Sequence, residues 1–183
     1  MPAPFESTLL PHLESAYNLA RWLLRHEQDA EDAVQDAYLR AYESFSRFRG
    51  GDGRGWLLTI VRNVCYSRLR RERAGASRDA GDANVEFDEE IHGATDVRAQ
   101  THEIEWREAQ RDLLQQALEA MPVQAREVLV LREVEGLAYR EIAAVIGLPI
   151  GTVMSRLARA RTRLQSELAT RLRKDPESPH RLQ

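Results

Sequence analysis

Three sets of polar side chains recur at spacings that would gather each on one helix face. Near the end of the chain, Thr152, Arg156, Arg159 and Arg163 stand at i, i+4, i+7 and i+11, with Ser155 adjoining. Arginine can grip a guanine edge with two hydrogen bonds, and arginine and serine both hold phosphates. In the first half, Thr59, Asn63, Tyr66 and Arg70 share a second face, flanked by Arg62 and Ser67. Amide, hydroxyl, aromatic and guanidinium groups together suit unstacked bases and a single-strand backbone. The third set is acidic: Asp29, Asp32 and Asp36 at i, i+3 and i+7, with Gln35 beside them. The bland reading of all three is a solvated helix surface, and for Asp29 a helix cap would suffice. Paired acids also suggest general acid–base catalysis, but no histidine partner, pocket glycine or metal pattern accompanies them. The five histidines (12, 26, 92, 102, 180) show no metal-ligand spacing. We therefore expect a protein that is not an enzyme and that carries no cofactor and no metal.

Charge distribution sharpens the first two faces. The 183 residues carry a formal net charge of −3, which by itself argues against a polyanionic partner. From Leu57 to Arg73, however, five arginines face one glutamate, and from Gly151 to Lys174 seven basic residues face one acid. Between them, Ala74 to Glu105 holds nine acids and two arginines. Two basic segments divided by an acidic one indicate two polyanion-contacting units on a connector. Cys65 is the single cysteine, so neither an internal disulfide nor a thiolate cluster is possible, which fits a reducing cytoplasm. The first residues, Met1-Pro2-Ala3-Pro4-Phe5-Glu6, do not read as a secretory signal, and no apolar run is long enough to span a membrane. A cytoplasmic location without membrane insertion is expected.

The elements that must position these faces are helices. Leu13, Tyr17, Ala20 and Leu24, with Leu10 and Leu23 beside them, predict a helix from about Leu9 to His26. A second starts at Asp29, read as its cap, and carries Val34, Ala37, Ala41 and Phe45 inward. The glycine-rich stretch Gly50 to Gly55, which includes Arg54, predicts a loop. A third helix follows from Trp56 to about Arg73, with Leu57, Val61, Val64 and Leu69 inward and Cys65 as buried filler. Ala74 to about Thr95 has no sustained period and reads as a mobile linker. Helical period resumes near Ile104, Pro122 opens a further helix, and Gly136 ends it. Trp22, Trp56 and Trp106 are expected in the core. No segment alternates at period two, so the fold class is all-α, in two small helical domains.

Leu137 to Arg161 reads as helix–turn–helix: a short helix with Ala143 at its closest approach, Gly147 in the turn, then the long basic helix. The ordinary alternative is a helical hairpin with a charged outer face. The runs Met121-Pro122-Val123-Gln124-Ala125-Arg126-Glu127-Val128-Leu129, Tyr139-Arg140-Glu141-Ile142-Ala143 and Gly151-Thr152-Val153-Met154-Ser155-Arg156-Leu157-Ala158-Arg159-Ala160-Arg161 closely resemble region 4 of the extracytoplasmic-function (ECF) subgroup of sigma-70 family transcription initiation factors. Asp29-Ala30-Glu31-Asp32-Ala33-Val34-Gln35-Asp36-Ala37-Tyr38, and Phe45 to Gly50 followed by Trp56 to Asn63, resemble region 2.

The resemblance implies region 2 over 5–73, an acidic flexible linker over 74–103 and region 4 over 104–172. It implies that Asp29, Asp32, Gln35 and Asp36 bind core RNA polymerase at its β′ clamp, with further contacts to the β subunit. It implies that Arg54, Thr59, Arg62, Asn63, Tyr66, Ser67 and Arg70 handle the promoter −10 element, where a base leaves the duplex. It implies that Arg140, Thr152, Met154, Ser155, Arg156, Arg159 and Arg163 read the −35 element. Met154 and Ala158 depart from the family pattern, where a basic and a larger residue are common, so a different promoter preference is expected. An anti-sigma factor is expected as a further partner. Two rival readings stay open: an operator-binding repressor or activator that acts without polymerase, and an adaptor that binds polymerase or a sigma factor.

Overall fold

The computed structural model describes residues 4–76 and 101–174, with side chains over 4–74 and 109–173. Of the linker expected over 74–103, residues 77–100 lie outside the described residues, while 74–76 and 101–103 are helical; the side chain of Trp106 also lies outside the described residues. Among the described residues every regular element is helical, and no single helix is long and apolar enough to cross a membrane.

The first bundle contains α1 (Phe5–Leu9), α2 (Leu13–Leu24), α3 (Glu27–Ser44) and α4 (Gly53–Ala76). The continuous first helix expected from periodicity is broken: Leu10–His12, holding Pro11, is a 3-10 turn between α1 and α2. Proline lacks the N–H that an α-helical turn needs beyond its first residues. The break also turns the apolar stripe. Leu10 and Leu13 are about half exposed, whereas Ala16, Leu19, Ala20 and Leu23 fill the core. α2 ends at Arg25, the sole described non-glycine residue with positive φ. α3 then begins at Glu27 with His26 in the cap position, so Asp29 is a first-turn acid and not the cap.

α4 starts three residues earlier than the sequence suggests, inside the glycine run. Gly53 is buried against α1, where a Cβ would lie 2.9 Å from Thr8 Cγ2 and 3.0 Å from its carbonyl oxygen. A Cβ at Gly55 would collide with the Asp52 carboxylate. These glycines therefore allow close approach within a helix, while the actual loop is Gly50-Gly51-Asp52, with both glycines at positive φ. Phe45 and Phe48 stack at 5.6 Å and Phe48 tilts against Trp56 at 5.1 Å, which closes this loop over the bundle.

The second bundle contains α5 (Thr101–Glu119), α6 (Val123–Leu129), α7 (Tyr139–Ile146) and α8 (Ile150–Lys174). Pro122 caps α6, and α6 runs into a π turn over Val130–Val134. Gly136 and Gly147 both take positive φ and end their elements. α7 and α8 meet at 100° across Gly147-Leu148-Pro149, the geometry of a helix–turn–helix. Val153, Leu157 and Ala160 bury one face of α8 against α6 and α7.

The two bundles are packed on one another. α4 lies along α7, and α2 lies against α6 and the π turn, so the buried apolar side chains of both form one contiguous cluster. Leu57 is fully buried in it. Leu57→Ala is expected to cost about 2–5 kcal/mol by removing apolar contact and leaving a cavity. Urea unfolding of the two chains checks this, and equal midpoints would contradict it.

Candidate nucleic-acid interface

On α3, Asp32 and Gln35 are exposed, and Asp29 and Asp36 are half-buried. Arg68 of α4 reaches across the bundle. Its Nη2 donates to Asp36 Oδ2 at 2.7 Å, and its Nη1 lies 3.7 Å from Asp32 Oδ2. Burial works against the Arg68 charge, but the Asp36 hydrogen bond and the charges of Asp36, Asp32 and Asp29 outweigh it and hold the guanidinium protonated. Asp36 is thus satisfied within the bundle, while Asp32 is exposed and only loosely paired with Arg68, and Gln35 is exposed.

The face expected on α4 divides in two. Asn63 and Arg70 are exposed. Ser67 donates to the Asn63 carbonyl at 2.8 Å, and Arg70 Nη2 donates to Ser67 Oγ at 3.2 Å. Thr59 donates to the Gly55 carbonyl at 2.8 Å. Arg54, Arg62 and Tyr66 instead face the second bundle. Arg62 Nε donates to Glu127 Oε1 at 2.6 Å, and Tyr66 Oη donates to Glu127 Oε2 at 3.1 Å. The Arg62 guanidinium also sits 4.5 Å from the Tyr66 ring centre, within cation–π range. Arg54 Nη2 donates to Glu135 Oε2 at 2.5 Å and to the Glu135 carbonyl at 2.8 Å. Asn18 Nδ2 of α2 donates to Glu135 Oε1 at 3.1 Å.

The two carboxylates titrate in opposite directions. Burial pushes Glu127 up, against the pull of Arg62, Tyr66 and Arg156. Burial also acts on Glu135, but hydrogen bonds from Ser15, Arg54 and Asn18 outweigh it and hold this carboxyl below its ordinary range. A carboxyl with a lowered folded-state pKa stabilises the fold above its unfolded value, and that contribution is lost as pH falls through the folded one. Acidification below about pH 4.5 is therefore expected to weaken the Glu135 contact, from the usual carboxylate range. Glu135→Gln should lower the melting temperature at pH 7 and flatten its fall with acid. Parallel melting curves for both chains between neutral and acid pH would contradict this.

On the helix–turn–helix, Met154, Ser155, Arg159 and Arg163 are exposed on α8, Thr152 and Arg156 are half-buried, and Arg140 is exposed on α7. Arg156, Arg159 and Arg163 line a shallow groove with Pro122, Gln124 and Ala125 of the α6 entry. Burial raises the pKa of both Glu127 and Tyr66, and the charge of nearby Arg156 offsets a small part of that rise. Arg156 thus stands at the edge of the contact between bundles, whereas Arg159 and Arg163 stand clear of it. Arg161, on another side of α8, pairs with Glu133 at 2.6 Å.

Sequence reasoning missed Glu127, Glu135 and Arg126. Glu127 lies four residues from both Val123 and Leu131, on the apolar stripe itself, and it is fully buried. A charge on a buried stripe is the signal that could have found it. Arg126 is 2% exposed, and its Nε and Nη1 have no hydrogen-bond partner among the described residues. Burial and the neighbouring Arg25 charge push its guanidinium down to about 10. Cys65 is buried as expected, and its thiol is pushed up to about 12 by that burial.

The chain resembles known proteins over both bundles. Residues 9–75 match the family model for sigma-70 region 2, and residues 111–164 match that for sigma-70 region 4. The RNA polymerase sigma-H factor of Pseudomonas aeruginosa is 31% identical over 92% of this chain and 88% of its own length. The ECF RNA polymerase sigma factor SigE of Mycolicibacterium smegmatis is 31% identical over 92% of this chain, which spans 63% of that longer relative. Among solved structures, the sigma factor RpoE in complex with the anti-sigma factor NepR from Bartonella quintana superposes with a TM-score of 0.70 at 29% identity. That match covers 90% of this chain and 96% of the other. A region 2 bundle followed by a region 4 helix–turn–helix, with relatives of the same order along almost the whole chain, places the protein in the ECF subgroup of the sigma-70 family.

Proposed function

We propose that this chain is a transcription initiation factor that binds core RNA polymerase, directs it to promoters and promotes strand opening at the −10 element. In this reading residues 5–73 form the polymerase- and −10-binding unit and 104–172 the −35-binding unit, with an acidic connector over 74–103. Gln35 and Asp32 on α3 meet the polymerase clamp. Asn63 and Arg70, joined by Arg54, Arg62 and Tyr66 once these are released, take the melted strand. Arg156, Arg159 and Arg163 read the upstream element. The protein works in the cytoplasm, performs no covalent chemistry and is restrained by an anti-sigma factor. Its relative RpoE from Bartonella quintana supports that last point, being held in complex with the anti-sigma factor NepR.

The observation that carries this reading is the coexistence in one chain of an outward arginine row on a helix–turn–helix and a separate acid-and-amide face on another bundle. An operator-binding repressor needs the first and has no use for the second. An adaptor needs the second and leaves the arginine row without a role.

Net negative charge opposes free approach to DNA. The isolated chain is therefore expected to bind promoter duplex weakly, and to prefer a forked −10 probe only after joining polymerase. Fluorescence anisotropy with and without core polymerase tests this. Nanomolar, sequence-specific duplex binding by the free chain at physiological salt would favour the repressor instead.

A further inference from the structure

We propose that the crevice around Arg126 is a phosphate-binding site, filled by inorganic phosphate or by the terminal phosphate of a small phosphorylated molecule. None of its polar side chains belongs to the three faces assigned to polymerase and promoter, so the proposal stands or falls independently of that assignment.

Arg126 itself carries the inference. From α6 it lines a crevice of about 350 Å³ that also takes in the end of α2 and the C-terminal part of α4. It is 2% exposed, and its Nε and Nη1 have no hydrogen-bond partner among the described residues. Buried donors without an acceptor are costly, doubly so on a charged group, and a bound acceptor removes that cost. The surrounding charge selects an anion. Arg25, placed by the left-handed turn that ends α2, stands in the same lining and is the strongest charge acting on Arg126. Glu119 opposes it less strongly from outside the lining. Arg73 and His26 add exposed donors at the rim, where Glu72 is the one lining carboxylate among the described residues.

Two guanidiniums around one compact space suit phosphate better than a carboxylate. Phosphate offers several acceptor oxygens to the forked N–H groups of arginine, and at neutral pH it brings more than one negative charge. A monocarboxylate would balance only one of the two cations. The volume is at the small end for ligand sites, so the phosphate group enters whole and anything attached to it stays at the mouth. Leu23 and Met121, both buried, line the same space and keep it poorly solvated, which strengthens attraction between opposite charges. Because α2, α4 and α6 all contribute side chains, a bound anion stabilises the folded chain by mass action.

The test titrates the full chain with inorganic phosphate at constant ionic strength in chloride. The Arg126 Nε–H signal in a proton–nitrogen correlation spectrum should shift saturably, and the melting temperature should rise. Acetate at the same concentrations should do neither. Arg126→Met keeps the side-chain length and removes the charge. It should weaken phosphate binding, measured by calorimetry, by about tenfold or more. In phosphate-free buffer it should melt no lower than the parent, since an unpaired buried cation has been replaced by an apolar group. Arg25→Gly, which suits the positive φ at that position, should also weaken binding while keeping the helical circular dichroism. Arg40→Gln, at an exposed position on α3 outside the crevice, should bind phosphate as the parent does. A nucleoside diphosphate in a second arm separates the two sources. Binding about tenfold tighter than inorganic phosphate assigns the site to a terminal phosphate, and equal binding assigns it to the free ion. An Arg126 signal that moves with neither ligand, or moves equally with acetate, would overturn the site. So would an Arg126→Met chain that binds phosphate as tightly as the parent. If Arg126→Met loses its helical circular dichroism, Arg25→Gly decides: unchanged phosphate affinity there overturns the proposal.

Discussion

Arg156→Ala and Arg159→Ala are each expected to damage recognition of the upstream promoter element, and to do so in different ways. Neither residue is needed for folding, because the buried face of α8 is made by Val153, Leu157 and Ala160. Arg159 is exposed, its Nε resting on the Ser155 carbonyl of its own helix at 3.3 Å. Arg156 lies nearer the helix N-terminus, which enters the groove first in helix–turn–helix docking. We assign Arg156 to a base edge and Arg159 to the backbone. Loss of the base contact should cost about 1–3 kcal/mol and relax preference at one base pair. Loss of a phosphate contact should weaken all promoters evenly and reduce the salt slope by about one unit. A promoter library transcribed by each variant at saturating core polymerase separates the two outcomes. Unchanged output and preference for both variants would remove α8 from promoter recognition.

Asp32→Ala combined with Gln35→Ala should weaken core polymerase binding by about tenfold or more, the loss expected when two side chains at the centre of an interface are truncated. Both are exposed, and the buried face of α3 runs through Ala30, Ala33, Val34, Ala37 and Ala41. Asp36 is the wrong choice for this test. Its 2.7 Å contact with Arg68 ties α3 to α4, so its loss would disturb the bundle as well as the surface. Competition against another sigma factor for a limiting amount of core polymerase measures the effect. Native helical content with unchanged affinity would move the polymerase contact elsewhere.

How far the sequence can be read follows from what kind of interaction sets each feature. The helix–turn–helix is legible because a glycine at positive φ and an apolar stripe on each side are local signals, and Tyr139–Ile146 falls where periodicity puts it. The all-α class follows for the same reason. The start of α4 is not legible, because glycines at 53 and 55 read as loop while their use is close approach to Thr8 and Asp52. The break at Pro11 is half legible: proline marks it, but the apolar period runs on across it. The polar faces themselves are visible as spacings, yet their division is not. Arg62 and Tyr66 look equivalent to Asn63 and Arg70 until the second bundle is in place, since their partner carboxylate is 61 to 65 residues away along the chain. Glu135, which pairs with Arg54, directly follows the π turn over Val130–Val134, and no local pattern announces a π turn. Long-range electrostatic pairing is the part of this site that a linear reading cannot assemble.

The central claim is that this chain confers promoter specificity on polymerase. Its most direct measurement is run-off transcription with purified chain, purified core RNA polymerase and a library of promoter-bearing templates. Discrete transcripts are expected that require both proteins, start at fixed sites and disappear when Asp32 and Gln35, or Arg156 and Arg159, are replaced together. Transcripts that are unchanged by adding the chain, or repression of transcripts that core polymerase makes with another sigma factor, would contradict it.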